Sequence, residues 1–157
     1  MTTWDYDVVV YLGTLPKIRN HNIKVQVMRA FGEGAARCGV RWLVDDNINN
    51  RQVYNSRLAV ILGWVGMSYS GPHIYFRDAI IHQQDLIGGK VMSIDGSCFK
   101  FHDTHENMWL RYSLDNVFWN TGNYANKNSR PTHWNMVQQT LGLTEVPWSN
   151  SGDNILI

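Results

Sequence analysis

The residues of this chain with chemistry to offer sit where apolar runs stop. Asp45 and Asp46 follow Val40–Val44, and Asp95 follows Val91–Ile94. A carboxylate leaving a strand can orient a ribose hydroxyl or act as a general base, but for a pair such as Asp45-Asp46 a turn or helix cap is the preferred reading. Gly63-Trp64 follows Leu58–Leu62. A glycine there admits a ligand or another backbone, and an indole just beyond it either stacks on a base or sugar or packs into the core. Gly13-Thr14 closes an earlier run in the same way. Arg77, on the helix after Trp64, could meet a phosphate, but a solvated helix face is the preferred reading. His102 and His105, with Asp103 and Glu106, have ligand types that suit zinc or manganese. No helical pattern carries them, so a solvated loop is preferred and no metal is expected. His21, His73, His82 and His133 are scattered and read as surface or helix-end residues.

Several common chemistries lack their motifs. Gly13-Thr14-Leu15-Pro16 has one glycine where a dinucleotide fingerprint needs three, and neither the phosphate-cradling Walker pattern nor the nucleophile-elbow pentapeptide occurs. What remains is an architecture that would gather these residues. Unbroken apolar runs predict strands covered on both faces at Val8–Leu12, Arg41–Val44, Leu58–Leu62 and Val91–Ile94, with Leu58–Leu62 central. Ile23, Val27, Ala30, Phe31, Ala35 and Cys38 recur at helical spacing, with Asn20 or Asn22 as cap and Gly39 as stop. Gly32 and Gly34 weaken that helix unless they allow close packing on the sheet. Pro72 opens a second helix with Phe76, Ile80, Ile81 and Ile87 buried, ending at Gly88-Gly89. Trp109–Tyr112 is a short element, and Thr132 caps a last helix carrying Trp134, Val137 and Leu141. The fold class expected is α/β, a Rossmann-like open, mostly parallel sheet with helices on both faces. Residues 1–148 form that domain, with 149–157 a linker and terminal strand.

Composition bounds the function. A chain of 157 residues with 44% hydrophobic and 17% charged residues buries a core without a metal or disulfide staple. The net charge of +1 is uneven: eight Lys/Arg against five acids over residues 1–60, and six against eight over 61–157. That bias falls short of the basic stripe of a dedicated nucleic-acid binder. Cys38 and Cys98 are too far apart for a zinc or redox motif and read as buried free thiols in a reducing compartment. Without a signal-peptide pattern or an apolar run of about 18 residues, a cytoplasmic protein and no membrane contact are expected. Seven Trp and seven Tyr exceed what core packing alone calls for.

Taken together, Gly13 after the first strand, the Ala/Gly-containing helix Lys24–Gly39, Leu58–Trp64, Arg77, Gly89–Asp95 and the segment from Arg111-Tyr112 to Asn120-Thr-Gly-Asn123 resemble the N-terminal half of phage and bacterial glycosyltransferases of the GT-B type. The resemblance covers most of the chain through loose motifs. It implies sugar transfer from a nucleotide-sugar co-substrate, with no resident cofactor and with hydroxymethylated DNA bases among the acceptors of phage relatives. Asp45 and Asp95 then become catalytic candidates. Gly13, Thr14, Gly63, Trp64, Arg77, Asn120 and Asn123 become substrate-binding, and Lys17, Arg19 and Lys24 nucleic-acid-binding candidates. GT-B enzymes have two Rossmann-like domains, the second usually holding the donor. The resemblance therefore implies a partner, a second Rossmann-like chain or another copy, and Ile155-Leu-Ile157 resembles the strand that leads into a second half. The alternative is a non-catalytic α/β module that binds a nucleotide or a protein.

Overall fold

Two apolar runs far apart in sequence lie side by side at the centre of the sheet. The computed structural model describes residues 3–15, 17–18, 22–65, 70–100 and 108–115, with Asn135, Gln138, Gln139, Gly142 and Thr144. Strand β1 (Tyr6–Tyr11) pairs in parallel with β3 (Ser56–Leu62), in the register Val8 to Leu58, Val9 to Ala59 and Val10 to Val60. β2 (Trp42–Asp45) flanks β1 and β4 (Lys90–Lys100) flanks β3, both in parallel. β5 (Met108–Leu114) adds to β4 in the antiparallel sense, giving the order β2-β1-β3-β4-β5. With helices α1 (Ile23–Arg37) and α2 (Pro72–Ile87) as crossovers, this is an α/β, Rossmann-like, mostly parallel sheet.

The runs are unbroken because both of their faces are covered. Val10, Val60, Leu62 and Ile94 pack with Val25 and Met28 of α1, whereas Val9, Tyr11, Ala59, Ile61 and Val91 pack with Phe76 and Ile80 of α2. Successive strand residues point to opposite faces, so the two clusters lie on opposite sides of the sheet. Each fully buried aliphatic side chain contributes roughly 1.5–3 kcal/mol, so the paired β1 and β3 residues dominate the core. At the amino edge Asp7 ties the strands together: its carboxylate accepts from the Arg41 N–H at 3.0 Å and pairs with the Arg57 guanidinium at 3.2 Å. The Arg41 N–H, with both arginines nearby, holds the Asp7 carboxyl below the usual range.

α1 starts where Asn22 accepts a hydrogen bond from the Lys24 N–H at 2.9 Å, and it stops before Gly39, whose φ of +71° suits glycine. Its buried ridge is Val25, Met28 and Gly32, with Val27 and Phe31 flanking. The expected ridge through Ile23, Val27 and Ala30 is therefore displaced, and Ala30 is exposed. Gly32 explains the shift: a Cβ there would stand 2.5 Å from a Val44 methyl, so the helix backbone rests directly on β2. Cys38, expected to be buried, is exposed at the helix end.

Two further differences have local causes. β4 runs on past the expected Ile94 because β5 continues to pair with it after β3 has ended. The β2–β3 crossover is a loop, residues 46–55, where such connections usually contain a helix. Tyr54 does the covering. Its ring stacks on Tyr11 with centroids 6.3 Å apart, and its N–H donates to the Tyr11 hydroxyl at 3.0 Å. Burial pushes the Tyr11 hydroxyl well above its ordinary pKa, so it stays protonated.

The chain divides into two compact units, Met1–Tyr124 and Ala125–Ile157. In the second, Asn135, Gln138 and Gln139 are helical, and Gly142 has φ +62°. The expected helix residues Thr132, Trp134, Val137 and Leu141, and the expected terminal strand, lie outside the described residues. Among the described residues no helix is long and apolar enough to cross a membrane.

Gly32 and Gly34 should part company on substitution. A Cβ on Gly34 would meet nothing within 4 Å, so Gly34→Ala should stabilise by about 0.5–1 kcal/mol, the helical cost of glycine. Gly32→Ala should destabilise by about 1–3 kcal/mol through overpacking against Val44. Urea denaturation of both variants checks this, and equal effects would contradict the close approach.

Candidate functional site at the carboxyl edge

Strand order reverses between β1 and β3, the switch point at which open α/β sheets usually hold ligands. Here the crevice is bridged by the protein itself. After β1 the chain makes a single tight turn, Leu12–Thr14, closed by the Leu15 N–H on the Leu12 carbonyl at 3.0 Å. The Thr14 hydroxyl donates to the Tyr11 carbonyl at 2.6 Å and accepts from the Leu62 N–H at 3.0 Å. One buried oxygen thus joins the ends of both central strands.

Arg77 closes the other side. Its Nε and Nη2 donate to the Thr14 carbonyl at 3.1 and 2.8 Å, and its Nη1 donates to the Trp64 carbonyl at 3.3 Å. It is 9% exposed, which excludes the solvated-face reading. Burial lowers its pKa and nearby Asp95 raises it, but a guanidinium stays charged throughout. Its five donors are therefore turned largely toward backbone carbonyls. Gly63, at φ +70°, lets Arg77 in: a Cβ there would lie 3.0 Å from Nη1. The glycine that the sequence offered to a ligand serves the protein's own cation. Gly13 is enclosed likewise, since a Cβ would meet the Phe76 ring at 3.1 Å and the Asn47 carbonyl at 3.9 Å.

The candidate carboxylates differ. Asp45, the last residue of β2, is 7% exposed, and its Oδ1 accepts from the Asn47 N–H at 3.0 Å. Desolvation raises its pKa above the ordinary value and neighbouring Asp46 adds to that, while the Asn47 N–H opposes both. Asp46 is exposed and pairs with Arg29 at 3.4 Å. Asp95 is interior to β4 and not at its end. It lies one residue beyond the Leu62–Ile94 pairing, level with the edge, and its Oδ2 pairs with Arg111 at 3.2 Å. Trp64 is half-buried against the α2-side core. Gly13, Thr14, Gly63, Trp64 and Arg77 therefore meet at one edge, with Asp45 and Asp95 at its flanks. Lys17 is exposed and Lys24 half-buried in the first turn of α1. Arg19, Asn120 and Asn123 lie outside the described residues, as do His102, Asp103, His105 and Glu106. Among the described residues no three His, Cys, Asp or Glu converge to hold a metal.

Some residues that shape the edge carried no signal in the sequence. The Ser93 hydroxyl donates to the Gly63 carbonyl at 2.8 Å, fixing the left-handed bend after β3. At the opposite, amino edge of the sheet, Gln84, 1% exposed inside an apolar helix face, donates to the Ser56 hydroxyl at 2.9 Å. Nothing in residue type or spacing separates these from solvated polar positions.

No family model, curated protein or solved structure matches this chain.

Thr14→Val keeps the shape of Thr14 but leaves the Leu62 N–H without its acceptor. A loss of about 1–3 kcal/mol in chemical denaturation is expected, and less than about 0.5 kcal/mol would show that the bridge matters little. Asp45→Asn should act in the opposite direction. Because its folded pKa is raised, the Asp45 carboxyl contributes stability only at low pH, present below the ordinary value of 3.8 and lost as pH rises through the folded value. An asparagine oxygen can still accept from the Asn47 N–H. The variant should therefore gain on the wild type as pH rises from about 4 to 7. Paired thermal melts across that range check the sign.

Proposed function

We propose that this chain is the acceptor-binding, Rossmann-like half of a cytoplasmic sugar transferase that uses a nucleotide-sugar donor, with DNA bases among its acceptors. The observation that carries the reading is the meeting of Gly13, Thr14, Gly63 and Trp64 at the β1–β3 switch point, with Asp45 at the end of β2. Trp64 offers the acceptor a stacking face. Asp45, held partly desolvated, is the base that would take a proton from an acceptor hydroxyl. Arg77 organises the edge from within, and Asp95 steadies it through Arg111. The donor nucleotide falls to a second Rossmann-like chain or a second copy of this one.

A specific observation favours the other reading, a non-catalytic α/β nucleotide- or protein-binding module. Of the two candidate carboxylates, Asp95 is tied to an arginine, which leaves Asp45 as the one base.

Sugar incorporation from UDP-glucose into hydroxymethylated duplex DNA, with and without a candidate second chain, tests the first reading. Trp64→Ala should weaken acceptor binding about tenfold, within the range of base stacking on an aromatic ring, and Asp45→Asn should abolish transfer while sparing binding. A Tm that rises with a free nucleoside and ignores every acceptor would sink the transferase in favour of the binding module.

A further inference from the structure

The outward face of α2 carries an apolar seam where a surface helix ordinarily carries charge. The helix turns Ile74, Phe76, Arg77, Ile80 and Gln84 toward the sheet. On the opposite side Tyr75, Ala79, His82 and Leu86 are all exposed, and they follow one another at intervals of four, three and four residues. At about 3.6 residues per turn that spacing keeps all of them within an arc of roughly 60°, and it is the spacing by which one helix presents a seam to another. Tyr75 is 66% and Leu86 68% exposed, two of the four large hydrophobic side chains that stand exposed among the described residues. They lie about 16 Å apart along the helix axis, so they belong to one strip and not to scattered surface positions.

Charge decides what fits the strip. Asp78 and Asp85, both exposed, border it along one side, about 70–90° round the helix from its centre. The other side is closed by buried Phe76 and half-buried Gln83, whose amide donates to the Asn55 side chain at 2.9 Å. Among the described residues no ion pair reaches Asp78 or Asp85. The one arginine of α2, Arg77, is buried against carbonyls, and the helix has no lysine, so these carboxylates lack the cation one turn away that commonly accompanies them. A second copy of α2 is a poor match. Antiparallel pairing about a two-fold axis lays the acidic side against its own copy, and parallel pairing sets it against the neutral Gln83 side. A lipid surface fits no better, because helices that lie in a membrane interface carry Lys and Arg beside the apolar face, and here that place is held by aspartate.

We infer that the Tyr75–Leu86 face of α2 is a docking surface for a basic amphipathic helix of another protein, whose apolar side chains lie along the seam and whose Lys or Arg side chains meet Asp78 and Asp85. Ala79 lets the two helix axes approach at the middle of the seam, and the polar His82 beside it fixes the register. The surface faces away from the sheet and shares no residue with the sugar-transfer reading, so neither depends on the other.

Two synthetic helical peptides of about three heptads test it by fluorescence anisotropy. Both carry leucine along one seam, flanked by lysine in one and by glutamate in the other. The lysine peptide should bind at least about tenfold more tightly than the glutamate peptide, and added salt should weaken it. Asp78→Lys with Asp85→Lys should reverse that preference. Tyr75→Ser with Leu86→Ser should weaken the lysine peptide about tenfold or more. The four side chains are exposed, so each double variant should melt close to the wild type. Equal binding of the two peptides, or a lysine peptide indifferent to either double variant, would overturn the site. So would a dimer in light scattering that the Tyr75→Ser and Leu86→Ser pair dissolves, which gives the seam to a second copy. Flotation with phosphatidylcholine vesicles that the same pair abolishes gives it to a lipid surface and overturns the site equally.

Discussion

The carbonyl of Thr14, held by two donors of a buried guanidinium, is the contact on which the rest of the ligand edge depends. Two parallel strands diverge at a switch point because their crossovers leave in opposite directions, and the gap between them would expose backbone groups. In this chain the Thr14 hydroxyl spans that gap and Arg77 fastens the Thr14 carbonyl from outside. A buried cation without an ion pair is expensive, and hydrogen bonds to a charged group recover roughly 1.5–3 kcal/mol each. Arg77 makes three of them. The positions of Gly63 and Trp64 follow from it, because Gly63 must lack a side chain for Nη1 to pass and the Trp64 carbonyl must turn inward to receive it.

This constraint changes what the edge offers. A ligand cannot settle between β1 and β3 against bare strand ends, because the tight turn after β1 and the guanidinium already occupy that place. It meets instead a rim: Trp64 on one side, the Asn47-centred loop with Asp45 behind it on another, and the start of α2 between them. The rim carries a polarity. Asp45 contributes a partly desolvated carboxylate and Arg77 a buried guanidinium met by carbonyl oxygens and nearby Asp95, while burial and the neighbouring arginines hold His73 toward its neutral form. In a mostly apolar wall such opposed groups act over several ångströms, since low local dielectric lengthens their reach.

The sheet was legible in the sequence because its signal is redundant. Val8–Val10 and Leu58–Leu62 are apolar without interruption, and only a strand packed on both faces needs that. Helix ends were legible for the same reason: Asn22 and Pro72 at the starts, Gly39 and Gly88 at the stops, are chosen by backbone geometry before any tertiary contact. The ridge of α1 lies about one position from the expected one because Gly32, which reads as a weakness, is the point of closest approach. Arg77 was the harder case. Its neighbours on α2 are apolar on one side and polar on the other, and an arginine at the boundary reads as solvated. Only the carbonyls of Thr14 and Trp64, brought together by the switch of strand order, make burial tolerable, and no local pattern encodes that meeting.

The same reasoning separates glycines that serve a ligand from glycines that serve the fold. Gly13 and Gly63 both follow strands, where a ligand-binding role is the natural reading. Their missing side chains are filled by Phe76 and Arg77, so both are fixed by packing whatever binds outside. What packing leaves less engaged at this edge is the half-buried indole of Trp64 and the partly desolvated Asp45. Packing thus accounts for the crevice between β1 and β3, which the Thr14 bridge and the Arg77 guanidinium fill from within.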